Sequence, residues 1–336
     1  MSWNQILTQL NQTTAESAVE RWGGDISSIK LASHGINVVY RFEKNGQSFY
    51  LRMTHPSLRS LKELEAALAF QQYLVGHDVA VCKPVLSQQQ RWIESVAQGG
   101  AEFLAHVCEA VPGTPITFEI NDDAIYHAWG KALAKFHRAA TAYEPGQHVY
   151  TNWKQSLEEL YGYAKKEPSI VQKELNAVAK FLTHYPSDIK SYGLTHGDHR
   201  KGNVLTDGHV VNIIDFDIPR LCWFIEDLIR PFFSAIAEES THWQSKLKPY
   251  FEGYQSMTKL TQRDKKAMPW FVRLKALEIY LWTKYNWDSD VAPGGMKTTV
   301  WLEQMQRMVE CDNQQIKVLQ DKLSFSVTAP PTTPKI

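Results

Sequence analysis

The sequence predicts an α+β chain in two lobes, a small β-rich lobe followed by a larger, mostly helical one. Three observations carry this. Asn45-Gly46 divides "VVYRFEK" from "QSFYLRM", the pattern of a tight hairpin. From residue 122 onward apolar residues recur mainly at helical spacing. Inside that helical half, Leu194–Asp217 ("LTHGDHRKGNVLTDGHVVNIIDFD") turns to strands and crowds carboxylates, His and an Arg-Lys pair together.

The elements follow in order. Residues 2–22 read as a helix that Gly23-Gly24 ends. Pairing outward from Asn45-Gly46 sets Phe42 opposite Phe49 and Tyr40 opposite Leu51, one apolar face, with Arg41, Tyr50 and Arg52 on the other. Leu58–Val75 takes helical spacing, and 80–86 and 101–111 are strand-like. "PGTP" at 112–115 is a turn that suits a lobe boundary. The expected lobes are 1–108 (N-terminal helix, antiparallel sheet, one long helix) and 109–326. Residues 122–140 read as one amphipathic helix, 153–184 hold at least one more, and helices resume from 224 to 322. The Pro/Thr-rich tail 327–336 is expected to be disordered.

Bulk properties narrow the function classes. The 336 residues leave room for a core in each lobe, and 43 % hydrophobic with 21 % charged is an ordinary globular balance. Lys+Arg and Asp+Glu both total 36, so no net field recruits nucleic acid or anionic membrane. Charges break every apolar stretch short of the ~20 residues that span a bilayer. "MSWNQILTQLNQ" lacks the basic flank and cleavage site of a signal peptide. Cys82, Cys108, Cys222 and Cys311 have no paired metal spacing and read as free thiols in a reducing compartment. The expectation is a soluble cytoplasmic protein without nucleic-acid or membrane partners; nothing in the pattern specifies an oligomer.

The chemistry concentrates in Leu194–Asp217. Asp207-Gly208 is a second hairpin signal, predicting Thr206–His209, Leu205–Val210, Val204–Val211 and Asn203–Asn212 as pairs. Asn203 and Asp215 then share one open end, about three residues apart in register. Asp198 precedes Asn203 by five residues, in a loop that Gly197 and Gly202 let bend. Hard oxygen donors beside a strand-end carboxylate suit Mg²⁺ with phosphates completing its shell. Taken singly, Asp198, Asn203 and Asp215 are ordinary turn or cap residues; their joint spacing is the signal.

"HGDHRKGN" followed by "IIDFD" resembles the aminoglycoside phosphotransferase/choline kinase family, relatives of the protein kinases. That family's form is H-G-D-x-x-x-x-N, a short hairpin, then an apolar strand ending D-F/W-x. The likeness extends over most of 25–290, and "YFEGYQSMTKL" is similar to homoserine-kinase-like relatives. It implies a two-lobed protein-kinase-like fold, ATP as nucleotide substrate and Mg²⁺. It further implies that Asp198 orients the acceptor hydroxyl and takes its proton, and that Asn203 and Asp215 hold the metal. Arg52 in "FYLRM" falls at the phosphate-gripping position. Glu65 falls at the helix position that pairs with it, with Glu63 as competitor. Gly35 lies in the phosphate-cradling turn and Glu109 in the hinge "CEAVPGTPI". Asp227 in "WFIEDLIR" and His196 take structural roles. Tyr50 faces the nucleotide where relatives carry something smaller. Arg200 and Lys201 add charge beside the transferred phosphate, and His199 reads as a solvated loop residue. Asp217 has two readings, an assistant to Mg²⁺ or the acceptor, and a cap of the next turn.

The expected activity is ATP-dependent transfer of the γ-phosphoryl group to a hydroxyl of a small metabolite or aminoglycoside-like acceptor. The alternatives are a protein Ser/Thr kinase of the same fold and a non-catalytic nucleotide-binding relative. A hydrolytic transition-metal site built from His196, Asp198, His199 and Asp215 is a rival of another class. In 268–290, Trp270, Leu274, Leu277, Leu281 and Tyr285 form a stripe that reads as core. Tyr280, Trp287, Asp288 and Asp290 lie off it, and read equally as solvated surface or as a site for a cationic acceptor.

Overall fold

The computed structural model describes residues 6, 9–35, 37–292, 295–310 and 314–323. The first hairpin forms in the expected register: β2 (Val38–Lys44) pairs with β3 (Gln47–Thr54), Phe42 opposite Phe49 and Tyr40 opposite Leu51. Alternation buries Val38, Tyr40, Phe42, Phe49 and Leu51 on one face. Arg41, Tyr50 and Arg52 take the other. Adding β1 (Asp25–His34), β4 (Pro84–Val85), β5 (Glu94–Gln98) and β6 (Ala101–Glu109) gives a six-stranded sheet ordered β1-β2-β3-β6-β4, with β5 also against β6. Helix Gln12–Trp22, capped by the Asn11 side chain and ended by left-handed Gly23, contributes Ala15, Ala18, Val19 and Trp22 to the same core.

Two departures in this lobe have local causes. Segment 80–86 forms only the two-residue strand Pro84–Val85, because Val81 bridges to Ile213 in the other lobe and Ala80 O accepts Ile213 N–H at 2.9 Å. β5 is an added strand, joined to β6 through Gly99-Gly100, both at positive φ (59° and 82°), which glycine adopts freely. Helix Leu61–Gly76 starts at a capping box in which Ser60 and Glu63 exchange hydrogen bonds, and its Ala66, Phe70 and Leu74 join the larger core.

The second lobe carries helices Asp123–Thr141, Trp153–Ala164 and Ser169–His184, then a group from Ile225 to Leu323 that includes the long helix Gln262–Asn286. The stripe Leu274, Leu277 and Leu281 is buried. Tyr280 is buried too, its hydroxyl donating to Glu167 at 2.9 Å, so it does not serve an acceptor surface. The tail 327–336 and Cys311 lie outside the described residues. Among the described residues no helix is long and apolar enough to cross a membrane.

Helices Asp123–Thr141 and Leu247–Gln255 cross in backbone contact. A Cβ on Gly130 would stand 1.9 Å from Tyr250 O, and one on Gly253 would stand 1.9 Å from His127 O. Backbone cannot yield as a side-chain tip does, so Gly130→Ala should cost about 3 kcal/mol. A lowered urea midpoint at unchanged slope is the expected readout.

The second hairpin forms with a different register. β9 (Val204–Thr206), bordered by β7 (Thr114–Pro115), pairs with β10 (Val211–Ile213) as Thr206–Val211, Leu205–Asn212 and Val204–Ile213, two residues from the expected pairing. The Asp207 carboxylate accepts His209 N–H and Val210 N–H, both at 2.9 Å, and this Asx turn opens a four-residue loop where Asp-Gly alone predicts two. A shift of two keeps every side chain on its face. It also brings Ile214 N–H onto Asn203 O at 2.9 Å, so Asp215 stands one residue past Asn203 rather than three.

Candidate active site

The loop between β8 (Tyr192–Thr195) and β9 is held from behind. Asp227, wholly buried on helix Ile225–Ile229, accepts His196 N–H at 2.6 Å, Gly197 N–H at 3.0 Å and the His137 ring at 3.3 Å. Gly197 sits at φ +80° with Ile218 O 2.2 Å from the place of a Cβ, so the turn demands glycine. The His196 ring donates Nε2–H to Ile214 O at 2.9 Å and accepts Asp198 N–H at 3.3 Å, tying loop to hairpin. Burial works to raise the Asp227 carboxyl, and the His137 hydrogen bond and the surrounding imidazoles overcome it, holding it at about 2. A carboxyl depressed in the folded state stabilises fully above its unfolded value near 4, and that stability fades as pH falls through 2. Asp227→Asn should cost about 2 kcal/mol at neutral pH. In urea melts at stepped pH, the gap from wild type should close between pH 4 and 2.

Asp198 stands at the loop's tip. Its Oδ1 takes Arg230 Nη2 at 2.6 Å, and its Oδ2 takes Arg200 Nε at 3.1 Å and Asn203 Nδ2 at 3.3 Å. Burial works to raise its carboxyl, but Arg230, Arg200 and Lys275 bring it below the usual carboxylate range. Asn203 also donates to Asp198 O at 2.9 Å, which spends its amide N–H groups inward and leaves its carbonyl oxygen for a cation.

Asp215, two residues past β10, sits at φ +73°, a left-handed conformation costly for a non-glycine residue and typical of functional positions. The cation between it and Asp217 is Arg52, whose Nη2 lies 2.7 Å from Asp215 and 2.5 Å from Asp217. Burial raises the Asp215 carboxyl; Arg52 opposes this, and Asp217 and Asp198 add to it. Asn37, in the turn between β1 and β2, donates to the Asp217 carboxylate, an inter-lobe contact. Arg52 Nε is buried without a partner. His106, opposite Arg52 on β6, is kept neutral by burial and by that guanidinium, its pKa lowered to about 3.

These contacts link Asp198, Asn203, Asp215, Asp217 and Arg52 across the two lobes. The other expected site residues lie outside this set of contacts. Glu65 is exposed and lines a hollow of about 680 Å³ with Leu61, Trp92 and His148, so Arg52 pairs with Asp215 and Asp217 instead. The rival Glu63 is taken by the capping box. Glu109 ends β6 with its side chain half exposed toward Lys83 at 3.3 Å. Gly35 is half-buried beside Asn37, whose O accepts its N–H at 3.1 Å. Tyr50 is half-buried between Arg41 and Cys108 in register, on the same face as Arg52. Lys201 lies with Nζ 5.5 Å over the Phe118 ring.

His199 is buried rather than solvated. Its Nε2 accepts the Trp129 indole N–H at 2.9 Å, and burial lowers its pKa to about 3. With both imidazoles engaged this way, the hydrolytic-metal reading loses its ligands. Among the described residues no three His, Cys, Asp or Glu side chains gather as a metal group. Two participants carry no signal that composition alone exposes. Asn37 acts through a contact 180 residues away. Arg230 sits three residues after Asp227, one helical turn on, where a face-by-face reading of that motif finds it.

Residues 28–260 match the phosphotransferase enzyme family (APH), and the chain belongs to that family. Amicoumacin kinase of Bacillus subtilis (strain 168) is 23 % identical over 280 residues, covering 80 % of this chain and 83 % of that protein. Among solved structures, amicoumacin kinase hAmiN in complex with AMP-PNP, Ca²⁺ and Ami superposes with a TM-score of 0.76 at 21 % identity, covering 96 % of each chain. A microcompartment-associated aminopropanol kinase gives 0.72 at 19 % identity, covering 94 % of this chain and 98 % of that one. These likenesses place the fold among the kinase-like folds of the family, with a sheet-built first lobe and a helical second one.

Proposed function

We propose that the protein is a Mg²⁺-dependent phosphotransferase that moves the γ-phosphoryl group of ATP to a hydroxyl of a small molecule. The observation that carries this is the Asp198–Asn203 pair set beside the Arg52–Asp215 pair by the backbone bond from Ile214 N–H to Asn203 O, at the junction of the two lobes. Asp198 orients the acceptor hydroxyl and accepts its proton as the O–H bond breaks. The carbonyl oxygen of Asn203 and the carboxylate of Asp215 are the hard oxygen donors that would hold Mg²⁺. The metal, when bound, neutralises phosphate charge. Arg52, with its unpaired Nε, grips phosphate oxygens and swings from its carboxylates to do so. The Asp215 carboxyl, raised by burial and by the carboxylates beside it, is a fitting donor for a divalent cation. The nucleotide and Ca²⁺ bound to hAmiN, and the acceptors named for the two kinases, support the same reading.

The experiment is ADP release from ATP with Mg²⁺ over a panel of hydroxylated small molecules, run beside casein. Turnover with one or more small molecules supports the proposal. Phosphorylation of casein alone would favour a protein Ser/Thr kinase, and nucleotide binding without any transfer would favour a non-catalytic relative.

A further inference from the structure

The base position is enclosed by cations. A carboxylate offers about four lone-pair sites. Arg230, Arg200 and Asn203 occupy three of those on Asp198, leaving one for an incoming hydroxyl. Arg230 is only 9 % exposed, yet its Nε and Nη1 have no partner. Its guanidinium lies 5.5 Å over the Phe233 ring, which shields one face from water. Buried donors are almost always paired, so an idle edge on a buried arginine beside the base calls for a ligand. Arg200, half exposed, flanks Asp198 from the other side, and Lys201 follows it.

The opposing acids are few. Glu119, exposed and 3.9 Å from His242, is the carboxylate facing Lys201. Lys275 reaches Gly197 O at 3.4 Å, but Glu226 and Glu278 neutralise it at 3.2 and 2.7 Å. Asp217 is held by Arg52. Arg200 and Arg230 therefore share the single carboxylate of Asp198, which leaves one positive charge in excess there.

We propose that the acceptor is an alcohol bearing an oxyanion, a carboxylate or a phosphate, close to its reactive hydroxyl, and that Arg230 with Arg200 binds that oxyanion. This rests on the phosphotransferase reading. Guanidinium edges match such oxyanions with two parallel N–H donors. An acceptor with an ammonium at the same place meets two like charges. Asp198 serves as the arginines' counter-ion until the acceptor arrives.

The test measures ADP release with one chain-matched trio, 4-hydroxybutanoate, its amide and 4-aminobutan-1-ol, and one pair, glycerol 3-phosphate against glycerol. Wild type should favour the oxyanion-bearing members by at least about tenfold in kcat/KM. Arg230→Met should raise KM for them about 10- to 100-fold, with a smaller change in kcat, and flatten the preference, while Arg230→Lys should recover part of it. Melting curves establish that both variants fold. Turnover confined to neutral or cationic members, no turnover by any oxyanion-bearing member, or an unchanged preference in folded Arg230→Met would each overturn the inference. A Mg²⁺-dependent melting shift with ATP separates the two levels: kept, the phosphotransferase reading survives that failure; absent, both fall.

Discussion

Asp198→Asn is expected to lower kcat by about 10² to 10⁴, the usual worth of a positioned base. Asparagine keeps the oxygen that Arg230 holds at 2.6 Å, so the loop should stay folded and ATP-induced stabilisation should remain. What disappears is the carboxylate proposed to take the hydroxyl proton. Steady-state ADP release with the best acceptor, set beside a melting curve, separates these effects. A variant with wild-type kcat would remove Asp198 from the chemistry.

Arg52→Met is the second large effect. The guanidinium is the protein cation between Asp215 and Asp217 at 2.7 and 2.5 Å, and it is largely buried. Removing one partner of a buried pair leaves uncompensated charge, at a cost of about 3–5 kcal/mol. The variant should melt well below wild type. Millimolar Mg²⁺ without nucleotide should restore part of the loss, because a divalent cation can take the arginine's place between the carboxylates. Scanning calorimetry with Mg²⁺, and with matched NaCl as control, reads this directly. Equal recovery in NaCl would mean screening rather than site binding.

The loop that carries Asp198 and Asn203 is legible in the sequence because its chemistry is local: glycine at φ +80° and an amide five residues from a carboxylate. The apolar strand leading to Asp215 is legible for the same reason. The first hairpin is equally local, and its register follows from Asn45-Gly46. The second is not, since Asp207 both signals a two-residue turn and, through its side chain, closes a wider one. Features that depend on distant partners stay hidden. His199 is polar and follows an aspartate, so it reads as solvated until Trp129, 70 residues away, covers it. Glu65 lies on a helix whose start is set by the Ser60–Glu63 box, and that local choice does not say which carboxylates reach Arg52. Tyr280 falls off the apolar stripe and is buried all the same, because Glu167 supplies its hydrogen bond.

Asp215 and its neighbours are proposed to form a nucleotide–metal site. Thermal melting of wild type and Asp215→Ala with ATP, each with and without Mg²⁺, tests it most directly. At ATP about 100-fold above its dissociation constant, wild type should melt about 5 °C higher, a rise that needs Mg²⁺ and is largely lost in the variant. No shift in wild type, or an equal shift in Asp215→Ala, would contradict it.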